Sequence, residues 1–375
     1  MTKYFTEPII NEQIRLSVSG RLCLFGEHSD WAAQHGIHPG FCIIIGTDQG
    51  LKATAEASNC LMVETIIPDK EGRPSGRTRQ MSCPWEAESL RSAAEDGSEF
   101  FRYCAGVAYE ALTRLGISGG IEVHINDIDL PIKKGISSSA AVCVLIAEAI
   151  NKVWDLRLSR KELMELAYNG ERLTGSQCGR MDQACIYGKI PVLLTFNKQN
   201  DISVEKILCS NSLFMFFVDL AGQKDTVRIL RDLQKSYPVS ENLQNALGEE
   251  NKKITSLACE ALKIGDAPTL GFLMKQAQSV FDKLVAPHSP DDLESPLLHR
   301  ILDYEPLQKY VYGGKGVGSQ GDGTAQFVAR SENDRDDAMR LVESDFPQMR
   351  CFPLTIPCNG QISAYSFEQA SVGDR

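Results

Sequence analysis

Three short stretches of the sequence combine small residues with acids, bases or hydroxyls at spacings that suit chemistry on a phosphate. The first is LPIKKGISSSAA at 130–141, directly ahead of an apolar run that predicts a helix. A glycine and serines at that point leave backbone N–H groups free at the positive end of the helix, and small side chains let an anion approach them. The stretch indicates an anion cradle, although a serine there can also act only as a helix cap. It is not the common P-loop, since GxxxxGK[ST] is absent.

The second stretch is GRLCLFGEHSD at 20–30, which follows a strand-like run and holds Arg21, Glu27, His28 and Asp30. Carboxylates accept hydrogen bonds from hydroxyl groups, and an imidazole can donate or accept one. Such a cluster suits recognition of a polyhydroxylated ligand. The alternative is a solvated loop whose charges have no common role.

The third stretch is GERLTGSQCGRMDQ at 170–183, where Glu171 and Asp182 stand among small residues at the end of a predicted helix. One carboxylate can hold a magnesium ion, and the other can orient or deprotonate an attacking hydroxyl. Exposed acids at a helix end are the alternative interpretation.

A fourth segment, GGKGVGSQGDGT at 313–324, contains the pattern GxGxxG at Gly316, Gly318 and Gly321. This weak dinucleotide fingerprint fails on its context, because the segment leads into the strand-like TAQFVA and no early βαβ unit surrounds it.

The elements that must position these residues alternate between β-rich runs and helices, which predicts an α+β fold. We expect a buried helix at 138–154, an exposed turn at 69–79 and a mainly helical region at 226–304. The predicted strands are 14–19, 42–45, 51–57, 61–67, 120–125, 191–196, 202–208, 213–218, 324–329 and 350–355, and further helices are predicted at 99–115 and 333–344. The pattern changes near 197–200, which predicts an N-terminal domain at 1–198 and a C-terminal domain at 199–375.

Composition and charge restrict the possible partners. The chain has 375 residues, with 39 Lys and Arg against 49 Asp and Glu, a formal charge of −10. This negative balance disfavours nonspecific binding to nucleic acid or to an anionic membrane, which both draw on an excess of Lys and Arg. Small polyanions stay possible, because backbone N–H groups can bind a phosphate without net positive charge.

Twelve dispersed cysteines form no CxxC pair, and the polar start MTKYFTEPIINEQ has no apolar secretory segment. We expect reduced, mostly buried thiols, no structural zinc, no membrane span and a cytoplasmic protein.

Taken in order, the first three stretches resemble the GHMP small-molecule kinases, and most closely the galactokinase-like sugar kinases. Galactokinases carry GR-x-N-L-x-GEH-T-D-Y, then P-x-x-x-G-L-S-S-S-A-A, then G-x-MDQ; this chain has GRLCLFGEHSDW, PIKKGISSSAA and GRMDQ. The resemblance runs from about Arg15 to Ala329. It implies a two-domain GHMP kinase fold with the active site in the interdomain cleft, and ATP with Mg²⁺ as cofactors. The glycine-rich segment at 313–324 would then be a turn that supports the phosphate loop and the sugar pocket.

On the nucleotide side, the resemblance implies that Asp182 is the catalytic aspartate facing the attacking hydroxyl and that Arg21 is the basic residue beside it. Ser139 and Glu171 resemble the magnesium ligands. The ATP phosphates would lie against the phosphate loop and the start of the following helix, at Gly135, Ile136, Ser137, Ser138, Ser139 and Ala140.

On the sugar side, Glu27, His28 and Asp30 resemble the residues that grip sugar hydroxyls. Two departures leave the sugar open. WAAQHG at 31–36 replaces the family's Tyr-Asn-Gly-Gly. After the domain junction, VDLAGQKDTVRIL, which contains Lys224, stands where galactokinases have a Tyr-containing segment with paired arginines. Lys224 could meet an anionic or differently placed substituent, or could simply be solvated.

Galactose, an uronic acid, a deoxysugar, an aminosugar and a heptose therefore all remain candidate substrates, with the anomeric hydroxyl as the attacked position by analogy. Two alternatives remain: a GHMP kinase for a non-sugar alcohol such as mevalonate or homoserine, and a non-catalytic sensor of sugar and ATP. The oligomeric state stays undetermined.

Overall fold

The computed structural model describes residues 13–68, 74–96, 100–130, 138–197 and 201–361. Within these ranges, the strands of the N-terminal half form one seven-stranded sheet in the order β4-β3-β5-β2-β6-β7, with β1 paired to β2. The pairs are antiparallel except for β3 with β5. The strands are β1 (Ile14–Phe25), β2 (Gly40–Ser58), β3 (Cys60–Pro68), β4 (Pro74–Pro84), β5 (Gly120–Ile128), β6 (Val192–Phe196) and β7 (Ile202–Lys206).

Helices of this half pack against the sheet and against one another. The helices are α1 (Ser29–Ala33), α2 (Ala87–Asp96), α3 (Phe101–Glu110), α4 (Ser138–Val153) and α5 (Arg160–Leu173). Most side chains of α4 are buried, because the helix packs on β1 and β2 on one side and on α3 and α5 on the other. A capping box starts α5: Ser159 Oγ accepts from the Glu162 backbone N–H, and the Glu162 carboxylate accepts from the Ser159 backbone N–H.

Strands of the C-terminal half form a four-stranded antiparallel sheet in the order β11-β8-β10-β9 among the described residues. These strands are β8 (Leu213–Asp219), β9 (Val311–Gly316), β10 (Thr324–Ala329) and β11 (Arg350–Ile356). The helices of this half are α6 (Thr226–Ser236), α7 (Glu241–Asn245), α8 (Asn251–Ile264), α9 (Ala267–Val280), α10 (Pro290–Leu293), α11 (Pro296–Leu302) and α12 (Glu332–Asp345).

The largest apolar core runs through both halves. It joins α4 and the first sheet to α8 and α9, and it reaches Val328 on β10 and Leu354 on β11. The division of the chain at 198/199 stays a prediction, and the first sheet continues to Lys206. Nine of the twelve cysteines are buried, as predicted for thiols that pack as small apolar residues. Among the described residues, no helix combines the length and the apolar character needed to span a membrane.

Two of the predicted turns were wrong in part. The charged segment 69–79 was predicted as a turn, yet β4 begins at Pro74 and pairs with β3. Because β4 is at the edge of the sheet, its side chains at 76–80 stay exposed, and a polar sequence is compatible with a strand there.

The segment 313–324 was likewise predicted as a turn, but its first four residues belong to β9. A Cβ atom at Gly313 would lie 2.1 Å from the Gly271 carbonyl oxygen on α9. Glycine is therefore needed here for the close approach of helix and strand rather than for a turn.

Candidate active site

A cleft of about 1200 Å³ brings the three stretches together with the start of the C-terminal half. The sequence-predicted site residues that line it are Arg21, His28, Asp30, Ser138, Ser139, Glu171, Asp182 and Lys224. These residues come from four stretches that are far apart in sequence, so the cleft exists only in the folded chain. Gly318 and Ser319 from the turn after β9 also line it.

Asp182 and Arg21 form an ion pair in this cleft. Arg21 lies on β1 and is buried, and its guanidinium donates to Asp182 Oδ1. Asp182 begins a 3₁₀ turn at Asp182–Tyr187, and its side chain keeps 20% of its surface exposed. The arrangement presents a carboxylate to the cleft with a fixed positive charge behind it, which suits a group that orients or deprotonates a hydroxyl.

Glu171 lies next to Ser139 in a buried position near Asp182. Ser139 Oγ donates to Glu171 Oε1 over 2.7 Å, and Gln183 Nε2 donates to Glu171 Oε2 over 2.9 Å. Burial first and the charge of Asp182 second raise the pKa of Glu171 to about 7. A bound cation would oppose both effects by stabilising the ionised carboxylate.

The donor set around Glu171 fits a magnesium ion. Carboxylate and hydroxyl oxygens suit this hard cation, which usually takes only one or two carboxylates and completes its shell with water and phosphate oxygens. In the described part of the chain, no group of three His, Cys, Asp or Glu side chains is placed to hold a metal.

The predicted phosphate loop is only partly within the described residues. Gly135, Ile136 and Ser137 lie outside them. Ser138, Ser139 and Ala140 form the first turn of α4, where both serines line the cleft and Ala140 is buried in the core. The start of this 16-residue helix thus faces the same cleft as Asp182 and Glu171.

His28 and Asp30 form another wall of the cleft. The chain leaves β1 through Gly26 (φ 91°) and His28 (φ 69°), and the positive angles turn it sharply into α1. Asp30 in the first turn of α1 accepts a hydrogen bond from the Met181 backbone N–H over 3.3 Å. A Cβ atom at Gly179 would lie 1.8 Å from Asp30 Oδ2, so glycine at 179 makes room for this carboxylate.

Burial and then the charge of Asp182 raise the pKa of Asp30 to about 6. Because the folded state binds this proton more tightly than the unfolded state, the free energy of unfolding should fall as pH rises from about 4 to 6. Asp30→Asn lacks this penalty and should therefore gain about 2 kcal/mol relative to the parent protein between pH 4.5 and pH 8. Urea unfolding at both pH values measures the difference.

The control for this experiment is Asp127→Asn, whose parent side chain is 43% exposed beside Lys52. Its effect on the free energy of unfolding should be nearly the same at the two pH values. An Asp30→Asn effect that is equally independent of pH would contradict a buried Asp30 carboxylate with a raised pKa.

Glu27 is not among the residues that line the cleft. Its carboxylate accepts from the ammonium group of Lys315 on β9, and both side chains are almost fully buried, at 5% and 1% exposure. Lys315 Nζ also donates to the Gly316 carbonyl over 2.7 Å. Glu27, which was predicted to contact the sugar, instead forms a buried ion pair with Lys315, and this pair joins the two halves of the chain.

Sequence reasoning missed Lys315 and the amides around it. Gln278 accepts from the Gly316 backbone N–H and donates to Gln320, while Gln326 donates to the Cys23 carbonyl. A lysine in a glycine-rich run carries no signal that its partner lies 288 residues away. Gln183 stands in the GRMDQ motif, but nothing in the spacing assigns it to Glu171.

Lys224 reaches the cleft from the loop between β8 and α6. Its Nζ donates to the Gln320 carbonyl over 2.7 Å, and its side chain packs against the turn at 320–323. Its positive charge lies close enough to His28 to contribute to the low pKa of that imidazole.

Comparison with known proteins gives consistent matches. Residues 102–189 match the GHMP kinases N terminal domain. The galactokinase of Thermococcus kodakarensis is 26% identical over 297 residues, covering 70% of this chain and 76% of that protein.

Two solved structures share the fold. The L. major mevalonate kinase in complex with R-mevalonate superposes with a TM-score of 0.68 at 20% identity, covering 95% of this chain and 99% of that one. The Lactococcus lactis galactokinase complexed with galactose has a TM-score of 0.67 at 18% identity, covering 93% and 94%. At such identities the structural likeness shows only the fold. The similarity to galactokinases in particular rests on the sequence relatives.

Proposed function

We propose that this chain is an ATP-dependent kinase of the galactokinase-like GHMP type and that it phosphorylates a monosaccharide or sugar derivative at the anomeric hydroxyl. The observation that carries the proposal is the position of Asp182. This carboxylate lies in one cleft with the Ser139–Glu171 pair and with the His28–Asp30 wall. A nucleotide bound at the Ser139–Glu171 pair and a sugar bound at the His28–Asp30 wall would meet at Asp182.

Asp182 would act on the attacking hydroxyl. Its carboxylate orients the hydroxyl and can accept its proton, while Arg21 holds the carboxylate in place and adds positive charge beside the reacting oxygens. In phosphoryl transfer, positioning and electrostatic stabilisation supply most of the catalysis, because the transition state is loose. A fixed ion pair at the edge of the cleft meets that requirement.

The ATP phosphates would lie against Gly135, Ile136 and Ser137 and against the first turn of α4 at Ser138, Ser139 and Ala140, because the start of a helix favours anions. Ser139 and Glu171 would hold Mg²⁺. The ion, when bound, supplies neutralisation of the phosphate charge. Glu171 would bind the metal through its ionised carboxylate. Hydrogen bonds donated by Ser139 and Gln183 favour this ionised form.

On the sugar side, the proposal uses His28, Asp30 and Lys224. Ionised Asp30 accepts hydrogen bonds from hydroxyls, and Lys224 offers a cation near His28 in the same cleft. Glu27 is left out, because Lys315 occupies its carboxylate.

Two other functions are less well supported. A kinase for a non-sugar alcohol shares the fold, as the mevalonate kinase comparison illustrates, but the His28–Asp30 wall of the cleft suits hydroxyl groups and favours a sugar. A non-catalytic sensor would be expected to lose the phosphate loop or the catalytic acid, whereas this chain keeps GISSSAA and places Asp182 in the cleft beside Arg21.

Small molecules are the partners in this proposal. The formal charge of −10 speaks against nucleic acid and anionic membranes, and the buried cysteines support a reducing, cytoplasmic location.

The deciding experiment is a substrate panel with magnesium-ATP. We expect turnover of at least one sugar among monosaccharides, uronic acids, aminosugars, heptoses and polyols, with phosphorus NMR placing the phosphate on the anomeric oxygen. Mevalonate and homoserine are included to test the non-sugar alternative. Absence of turnover across the panel, together with absence of ATP binding by calorimetry, would reject the kinase assignment itself.

Lys224 should distinguish between substrates in this panel. Lys224→Ala removes a cation from the sugar wall, so kcat/KM should fall by about 10–100-fold for substrates with a negative or acceptor substituent at that wall. Substrates without the substituent should change little. An equal fall in kcat/KM for every substrate, or no fall for any, would show that Lys224 does not recognise a particular substituent.

A further inference from the structure

Trp31 holds the imidazole of His28 in one orientation. The Trp31 indole Nε1–H donates to His28 Nδ1 over 3.0 Å, and both side chains are buried. The imidazole also stacks on Phe281, with ring centroids 6.0 Å apart and planes at 27°, and meets the Trp31 ring edge-on at 5.9 Å. A flip of the imidazole would break the hydrogen bond from Trp31.

This contact decides which imidazole nitrogen carries the hydrogen. An indole nitrogen can only donate, so His28 Nδ1 must be the acceptor and cannot itself be protonated. Burial first and the charge of Lys224 second lower the pKa of His28 to about 3, so the ring is neutral at ordinary pH. A neutral ring with a bare Nδ1 carries its single hydrogen on Nε2.

The Nε2 side of the ring is where a ligand can act. This atom is buried, His28 lines the cleft, and no described residue gives Nε2 a hydrogen bond of normal geometry. A contact with the Ser319 backbone acts against burial and Lys224 and raises the pKa of the imidazole. Leaving a buried donor unsatisfied costs about 1–3 kcal/mol, so an acceptor atom delivered to Nε2 would be favoured.

We propose that Trp31 is a positioning residue that presents His28 as a hydrogen-bond donor, and that the substrate atom at His28 is therefore an acceptor oxygen. A hydroxyl, ether or carboxylate oxygen fits this position, and an ammonium group does not. The inference rests on the proposed sugar kinase function for the identity of the ligand. The hydrogen position on His28 is a property of the protein alone.

The carboxylate of Asp30 places a hydrogen-bond acceptor beside the His28 donor on this wall of the cleft. Asp30, when ionised, only accepts hydrogen bonds, whereas Nε2 of His28 in this tautomer only donates one. A tyrosine at position 31, as in galactokinases, can donate or accept through its hydroxyl and would not dictate the tautomer in the same way. Trp31 therefore increases the preference of the site for an oxygen substituent over a nitrogen substituent at one position of the sugar.

The tautomer can be measured without substrate. In protein labelled with ¹⁵N-histidine, the signals of six histidines are expected, and His28→Gln identifies that of His28 by its loss. The parent protein should show His28 with hydrogen on Nε2, and Trp31→Phe should move it toward a mixture of both tautomers. The control Trp154→Phe removes another buried indole, one that does not contact His28, and should leave the His28 signal unchanged.

Kinetics then test the consequence for substrate choice. For a sugar accepted in the panel, analogues with hydrogen, fluorine or an amino group in place of each hydroxyl are compared. At the position that meets His28, the deoxy and amino analogues should lose about 10–100-fold in kcat/KM and the fluoro analogue less. Trp31→Phe should raise KM for the parent sugar about tenfold, leave kcat nearly unchanged and reduce the penalty for the amino analogue.

Hydrogen on Nδ1 of His28 in the parent protein would overturn the proposal, even if Trp31→Phe failed to fold. An unchanged His28 signal in folded Trp31→Phe would overturn it as well, and so would an amino analogue accepted as well as the parent sugar at every position. Failure of the sugar kinase assignment is distinguishable, because it would appear as an inactive panel with the predicted NMR spectrum intact.

Discussion

Asp182→Asn is expected to lower kcat by about 10²–10⁴-fold while ATP binding is retained. The amide keeps the shape of the carboxylate and can still accept from Arg21, but it cannot take a proton from the attacking hydroxyl. The substrate panel supplies the assay, and calorimetry measures ATP binding. Asp201→Asn is the control, since the Asp201 side chain is 65% exposed beside Lys161 and should leave turnover unchanged.

The same variant separates the kinase from the sensor. A sensor would bind sugar and ATP without turnover in the parent protein, so there would be no rate to lose. Near-normal turnover of folded Asp182→Asn would show that the catalytic assignment is wrong even if the family assignment holds. Because the variant leaves Arg21 buried beside a neutral group, its thermal unfolding should be checked in parallel.

Lys315→Met should lower the free energy of unfolding by about 3–5 kcal/mol, the second large effect. The substitution keeps an unbranched apolar chain but leaves the Glu27 carboxylate buried without its cation. Urea unfolding measures the loss. The exposed Lys52–Asp127 pair provides the control, where Lys52→Met should cost less than about 1 kcal/mol because water screens both charges.

A double variant distinguishes the ion pair from simple packing. Glu27→Leu combined with Lys315→Met removes both charges and should recover at least about 2 kcal/mol of the loss, since no unpaired ion then remains buried. If the double variant were less stable than Lys315→Met alone, the cost would arise from lost packing, and an unpaired Glu27 carboxylate would not be its cause. Glu27 directly precedes His28, so both variants should also alter KM for the sugar.

The chemistry of individual segments could be predicted from the amino-acid sequence. Glycine and serines before an apolar helix, and Glu171 and Asp182 in a small-residue segment, are patterns whose physical meaning is local, because a helix start favours anions wherever it lies. The α+β fold class, confirmed by the structure, follows from the same kind of local periodicity. The three ordered motifs were enough for the resemblance that the comparisons support.

Tertiary structure decided which charges are available to a ligand. Glu27 and Asp30 are three residues apart and look equivalent in sequence, yet a lysine 288 residues from Glu27 occupies that carboxylate while Asp30 faces the cleft. Likewise, only the folded chain brings the Trp31 indole against Nδ1 of His28 and leaves the buried Nε2 without a hydrogen bond of normal geometry from the described residues. Spacing in sequence predicts neighbours along one element, but the pairing of buried charges depends on contacts between elements, where desolvation makes each unpaired charge costly.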